Sequence, residues 1–209
     1  MAVDLSFIPS VVSAASGLGG VWLGGYLTSK REAQKEHTRA KAEATYLAIL
    51  VGAHLDRFID SCISLAFDDG TFEGQPAGDD GISHAPTESA PTFEPLSLGV
   101  EWKSLPPELM YGILNLPYKV EQLVSSLEPI AEYDFPDYTE FFWERQIRFA
   151  ELGLDVCNLN FQLKTHATLP IPDVAPRTRS RETVLQDRMQ TVKRRQSEHK
   201  KQMSAAEGT

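Results

Sequence analysis

Residues 5–29 read LSFIPSVVSAASGLGGVWLGGYLTS, and the interpretation of the whole chain depends on them. They include no charged side chain, and basic residues follow at once, beginning with Lys30 and Arg31. An α-helix rises about 1.5 Å per residue, so that about 20 residues cross the hydrocarbon core of a bilayer. Residues 1–29 are therefore predicted to form a single N-terminal transmembrane anchor.

Two other interpretations of this stretch stay open. A cleaved signal peptide needs basic residues before its apolar segment, and residues 1–4 supply none. A buried helix of a water-soluble domain is the second alternative, because the stretch is rich in Gly and Ser and only moderately hydrophobic. Each Gly in a helix interior is destabilising by about 1 kcal/mol relative to Ala, so that such a helix needs close packing.

Small residues recur at every fourth position of the predicted anchor. They are Ser16, Gly20, Gly24 and Thr28. Helices with such a face approach each other closely in a membrane and gain van der Waals contact. This spacing predicts packing between transmembrane helices, and therefore a homo-oligomer.

The residues at the end of the anchor predict its orientation. The aromatic rings and first cations expected at the membrane interface are Trp22, Tyr26, Lys30 and Arg31. Because positive charge is retained on the cytoplasmic side, we expect the N-terminus outside and the C-terminal part in the cytoplasm. The expected location is the bacterial inner membrane, with membrane lipid as a partner.

The formal net charge of the 209-residue chain is −9, but the charge is unevenly distributed. From Arg177 onward, nine Lys and Arg residues stand against four Asp and Glu residues. An acidic body disfavours a broad nucleic-acid surface. The basic tail is the local exception, and five of its residues are candidates for contact with phosphate or lipid headgroups: Lys193, Arg194, Arg195, Lys200 and Lys201.

Helical periodicity dominates the remaining chain. Apolar residues recur at helical spacing up to Phe67, and further helices are predicted from about Leu105, Tyr118 and Tyr138. In the last of these, Arg145 is assigned to a polar face. The prediction is an all-α fold with a transmembrane helix, a continuous helical stalk, a small antiparallel cytoplasmic bundle, and a polar C-terminal tail that is helical or disordered.

Composition divides the chain into regions. They are the anchor (1–29), a stalk with the first bundle helix (30–67), a long flexible loop (68–103), a helical bundle (104–168), and a Pro-rich linker with a basic polar tail (169–209). The loop is assigned because its Gly, Pro, Asp and Ser residues show no periodicity.

No motif for catalysis, cofactor binding or metal binding occurs in the sequence, so that no catalytic, cofactor or metal residue is predicted. Cys62 and Cys157 lie near apolar helical faces and are expected to be buried thiols in a reducing compartment. The expected function is that of a non-catalytic scaffold, adaptor or regulator with an unknown protein partner. The alternatives are a small pore-forming (holin-like) component and an enzyme whose site no motif reveals.

Overall fold

The computed structural model describes residues 8–134, 138–170 and 179–207, with side chains from residue 25 onward. The predicted all-α fold is confirmed, since helices form nearly all the secondary structure in these ranges. The helices are α1 (Ile8–Phe67), α2 (Pro107–Leu114), α3 (Leu116–Tyr133), α4 (Thr139–His166) and α5 (Arg181–Glu207).

The predicted transmembrane anchor is not supported by these helices. Within the described residues, no helix has a segment both long enough and apolar enough to cross a bilayer. The physical reason lies in the composition of the N-terminal part of α1, which is uncharged but rich in Gly and Ser. Such residues bury little apolar area, so that lack of charge overstates the hydrophobicity of this part.

The chain divides into two compact units, Met1–Glu43 and Ala44–Thr209. In the first unit, every residue from 25 to 42 is exposed. The second unit contains the hydrophobic core, to which α1 contributes from Leu47 onward. The buried α1 side chains recur every three or four residues: Leu47, Val51, Leu55, Phe58, Cys62 and Leu65.

Helix α4 is the central element of the second unit, since it contacts α2, α3 and α5. Its buried residues lie on more than one face and include both Phe149 and Leu152. Consistent with that position, Arg145, which the sequence assigned to a polar face, is buried. A helix enclosed by neighbours must satisfy its buried polar side chains within the protein.

A proline lies in the first turn of both α2 and α3. Pro107 occupies the first turn of α2, and Pro117 occupies the first turn of α3. The first turn tolerates proline because its N–H groups have no helical partner. Pro129 lies inside α3, which continues past it to Tyr133.

The region from 68 to 103, expected to be a flexible loop, has defined local structure. It contains a hairpin of β1 (Thr71–Phe72) and β2 (Gln75–Pro76) and two short 3₁₀ helices, Pro95–Ser97 and Trp102–Ser104. Glu73 and Gly74 between the strands have φ of 51° and 79°. Positive φ at both central residues is typical of the type I′ turn that suits a tight hairpin.

The tail helix α5 packs on α4 rather than extending into solvent. Leu185 and Val192 are almost fully buried. At the start of α5, the exposed guanidinium of Arg181 bonds both carboxylate oxygens of Asp60, at 2.7 and 2.8 Å, and Asp56 at 2.9 Å. The burial of Leu185 and Val192 shows that the few apolar positions of the tail contact the chain's own bundle.

Candidate functional site

A polar pocket of about 130 Å³ lies between α4, α5 and the segment that follows α1. Its lining combines cationic and hydrogen-bonding side chains with aromatic rings. These residues are Asp69, His84, Tyr138, Thr139, Phe142, Trp143, Gln146, Arg188 and Arg195. The mixture suits a small polar ligand better than an apolar one.

Arg188 is held in place on the α5 side of this pocket. Its Nε atom donates to the carbonyl of Ala66 at 2.8 Å, and its Nη2 atom donates to Oε1 of Gln146 at 3.2 Å. The guanidinium carbon also lies 4.8 Å from the ring centroid of Phe67. These contacts fix the orientation of the guanidinium before any ligand binds.

Arg195 lies seven residues after Arg188, which is about two turns of helix and therefore the same face of α5. Partial burial and the charge of Arg195 lower the pKa of Arg188, although Asp69 acts in the opposite direction. Among the described residues, neither arginine forms an ion pair with a carboxylate. The lining of the pocket thus carries two guanidinium groups against one carboxylate, that of Asp69.

A buried network centred on Asp68 holds the pocket's loop against α4. Arg145 donates to Oδ2 of Asp68, and the backbone N–H groups of Gly70, Thr87 and Glu88 donate to the same carboxylate. Burial alone raises the pKa of Asp68, but these hydrogen bonds together with that from the Thr87 hydroxyl outweigh it and lower the pKa. Asp68 is therefore charged at neutral pH.

Gln146 connects this network to the pocket. Its Nε2 atom donates to the backbone carbonyl of Asp68 at 2.7 Å, while its Oε1 atom accepts the bond from Arg188. The side chain is almost fully buried, so that both bonds form away from bulk water. The position of the Arg188 guanidinium consequently depends on the end of α1.

Aromatic rings form the walls of the pocket. His84 lies edge-to-face with Phe142, with 6.2 Å between the ring centroids, and Trp143 lies edge-to-face with His199 at 5.3 Å. Gly70 allows the loop to approach Phe142, because a Cβ atom there would lie 2.4 Å from the ring. Its φ of +75° also favours glycine.

The predicted phosphate-contacting residues of the tail do not form one cluster. Lys193 pairs with Glu151 at 2.9 Å, whereas Arg194 lines a separate surface pocket with Arg179 and Asp187. Lys200 and Lys201 are exposed. Of the five, only Arg195 lines the polar pocket.

The structure describes the side chains of only some of the residues that were predicted to act in the anchor. Four of them lie outside the described side chains: Ser16, Gly20, Trp22 and Gly24. The remaining predicted residues of this part are exposed: Tyr26, Thr28, Lys30 and Arg31. Their predicted roles in helix packing and at a membrane interface stay predictions.

Most of the pocket could not be recognised from the sequence. Four of its residues were not singled out because they come from three separate parts of the chain: His84 from the segment after α1, Trp143 and Gln146 from α4, and Arg188 from α5. The signal available in the sequence was the seven-residue spacing of Arg188 and Arg195 in a helix-forming tail. Within the described ranges, no group of three or more His, Cys, Asp and Glu residues is placed to hold a metal ion.

Comparison with known proteins finds no match. No family model, no curated protein and no solved structure is detectably similar to this chain.

Proposed function

We propose that this chain is a non-catalytic interaction protein, an adaptor or scaffold that assembles with a second copy of itself through the exposed part of α1. The observation that supports this proposal is the exposure of every residue from 25 to 42 within a single helix. The apolar side chains of Tyr26 and Leu27 are 57% and 47% exposed there.

Helix energetics explain why exposure favours a partner. Most helical stability in proteins comes from the packing of one face of the helix rather than from intrinsic helix propensity. Local support in this part includes the ion pair between Arg39 and Glu43, which is surface-exposed at 2.8 Å. An ion pair this exposed contributes little to stability. Packing against another chain supplies the stabilisation that this part lacks.

The test is the oligomeric state of the full chain as a function of concentration, measured by sedimentation equilibrium. We expect the unmodified chain to self-associate, and Tyr26→Glu combined with Leu27→Glu to raise the dissociation constant about tenfold or more. The matched control is Phe72→Glu combined with Ile82→Glu, which adds the same charge at exposed apolar residues of the second unit. A chain that is monomeric at every concentration, or equal weakening by both double variants, contradicts the proposal.

Attachment to the bacterial inner membrane, with residues from 30 onward in the cytoplasm, stays a prediction. Flotation of the same purified chain with phospholipid vesicles tests it independently of self-association. A chain that stays at the bottom of the gradient, with and without anionic lipid, contradicts it.

A further inference from the structure

We propose that the pocket between α4 and α5 binds a phosphate group, either as inorganic phosphate or as the terminal phosphomonoester of a larger molecule. The inference is independent of self-association through α1, because the pocket is formed entirely by residues of the second unit.

The charge of the pocket favours an anion. Arg188 and Arg195 point into one cavity from the same face of α5, and the carboxylate that lines it belongs to Asp69. That carboxylate already accepts hydrogen bonds from the backbone N–H and the hydroxyl of Thr71, at 3.2 and 2.7 Å. The two guanidinium groups therefore leave a positive charge in the pocket that a bound anion would compensate.

The geometry of Arg188 favours oxyanion recognition in particular. Its contacts with Ala66 and Gln146 engage Nε and Nη2, and among the described residues Nη1 makes no hydrogen bond. A planar guanidinium held in this way loses little conformational freedom when it binds a phosphate oxygen. Arg195 is exposed and therefore able to close on the ligand from the solvent side.

The size and the remaining donors of the pocket agree with a phosphate group. A volume of about 130 Å³ is on the order of a few water molecules, which suits a tetrahedral oxyanion rather than an extended chain. Thr139 and Tyr138, which carry hydroxyl groups, and His84, which carries ring nitrogens, line the same cavity. Phosphate offers several strong acceptor oxygens for such donors.

The first experiment titrates the full chain with inorganic phosphate at constant ionic strength while the amide and arginine Nε–H signals are followed by NMR. We expect saturable shifts at Arg188, Arg195 and Thr139. Arg195→Gln should weaken binding about tenfold, because a charge-assisted hydrogen bond is lost. Arg195 is exposed, so that this substitution leaves the core intact.

The matched control is Arg194→Gln, which removes the same charge from the adjacent position. Arg194 lines a different pocket. The phosphate affinity of this variant should equal that of the unmodified chain. Equal weakening by Arg194→Gln and Arg195→Gln indicates only diffuse attraction to the basic tail, and overturns the proposal.

A second arm separates free phosphate from a lipid source. Vesicles of phosphatidylcholine, with and without phosphatidic acid, present the phosphomonoester at a membrane surface. Binding that requires phosphatidic acid and is lost in Arg195→Gln but kept in Arg194→Gln supports the phosphate site and assigns it to a headgroup. The absence of both saturable phosphate shifts and phosphatidic-acid-dependent binding overturns it.

Discussion

Arg145 of α4 donates a hydrogen bond to Asp68, which lies 77 residues earlier in the chain, directly after α1. Both side chains are buried, with 6% and 0% of their surfaces exposed. The second Nη atom of Arg145 donates to the carbonyl of Glu88. One guanidinium thus joins the central helix, the end of α1 and the segment expected to be a flexible loop.

Asp68→Asn should destabilise the chain by about 3–5 kcal/mol, because it leaves the Arg145 charge buried without its partner. The side chain keeps its size, so that the loss reflects charge and hydrogen bonding rather than a cavity. Urea unfolding followed by circular dichroism measures the change. The lost free energy should appear as a lower midpoint with an unchanged slope.

The control for this variant is Arg39→Gln, which breaks an ion pair whose arginine side chain is 83% exposed. Surface ion pairs contribute little, so that we expect the midpoint of urea unfolding to stay essentially unchanged. If Asp68→Asn is as mild as Arg39→Gln, the network does not hold the loop against α4.

The Asp68 network should also make stability depend on acidity. Burial opposes the charged carboxylate, but hydrogen bonds from Gly70, Glu88, Thr87 and Arg145 outweigh it, and the pKa of Asp68 lies below its usual value. The Asp68 carboxylate therefore binds a proton more readily in the unfolded chain than in the folded chain. The stabilisation is fully present above the unfolded pKa of about 3.9 and is lost as the pH falls through the lower folded pKa.

Unfolding free energies of the unmodified chain and of Asp68→Asn, measured between neutral pH and about pH 2, test this sign. The difference between the two proteins should stay constant down to the unfolded pKa and then shrink as the pH falls further. A difference that grows toward acid pH would mean that the folded pKa of Asp68 is raised.

Leu185→Ala should weaken the attachment of α5. Leu185 is fully buried, and a Cβ atom at Gly153 of α4 would lie 2.9 Å from its Cδ1 atom, so that the two helices pack closely there. Truncation of a buried Leu is destabilising by about 2–5 kcal/mol, depending on how far the site collapses. Because the side chain belongs to the last helix, we expect local detachment of α5 before global unfolding.

Limited trypsin digestion measures this detachment. In the unmodified chain, Arg188 is half-buried and engaged by Ala66 and Gln146, so that cleavage after it should be slow. The Leu185→Ala variant should be cleaved there at least about tenfold faster. Met203→Ala, at an exposed position of the same helix, serves as the control and should leave the rate unchanged.

Helix positions could be predicted from the sequence because they depend on local periodicity. The apolar residues at helical spacing before Phe67 are buried from Leu47 to Leu65, and α4 begins at Thr139, next to the predicted start at Tyr138. Pro107 and Pro117 occupy helix starts, where proline is well tolerated. Each of these features follows from residues within a few turns of one another.

The remaining features depend on contacts between distant residues. Arg145 lies among charged residues in the sequence, and its burial is compensated by two distant partners, the Asp68 carboxylate and the Glu88 carbonyl. The segment after Asp68 has the composition of a loop. The carboxylate of Asp68 nevertheless accepts hydrogen bonds from the backbone N–H groups of Thr87 and Glu88 in that segment. The pocket was missed for the same reason, since Arg188 meets Gln146 only when α5 packs on α4.

The two cysteines should be unreactive toward alkylating reagents in the folded chain. Burial raises the pKa of Cys62 to about 12 and that of Cys157 to about 11, with smaller contributions from Cys157 and from Glu182 respectively. Both thiols are free and buried, as the sequence predicted. Since the thiolate is the reactive species, raised pKa values and burial both slow the reaction.

Labelling with iodoacetamide at about pH 8, near the pKa of a free thiol, followed by mass spectrometry tests this expectation. Folded chain should label far more slowly than chain in urea, with Cys62 the slower of the two. Ser64→Cys adds a thiol at an exposed position of the same helix and should label quickly, which controls for the activity of the reagent. Rapid modification of Cys62 in the folded chain would show that α1 and α4 separate readily, because this thiol lies against Gly153 in the interface between them.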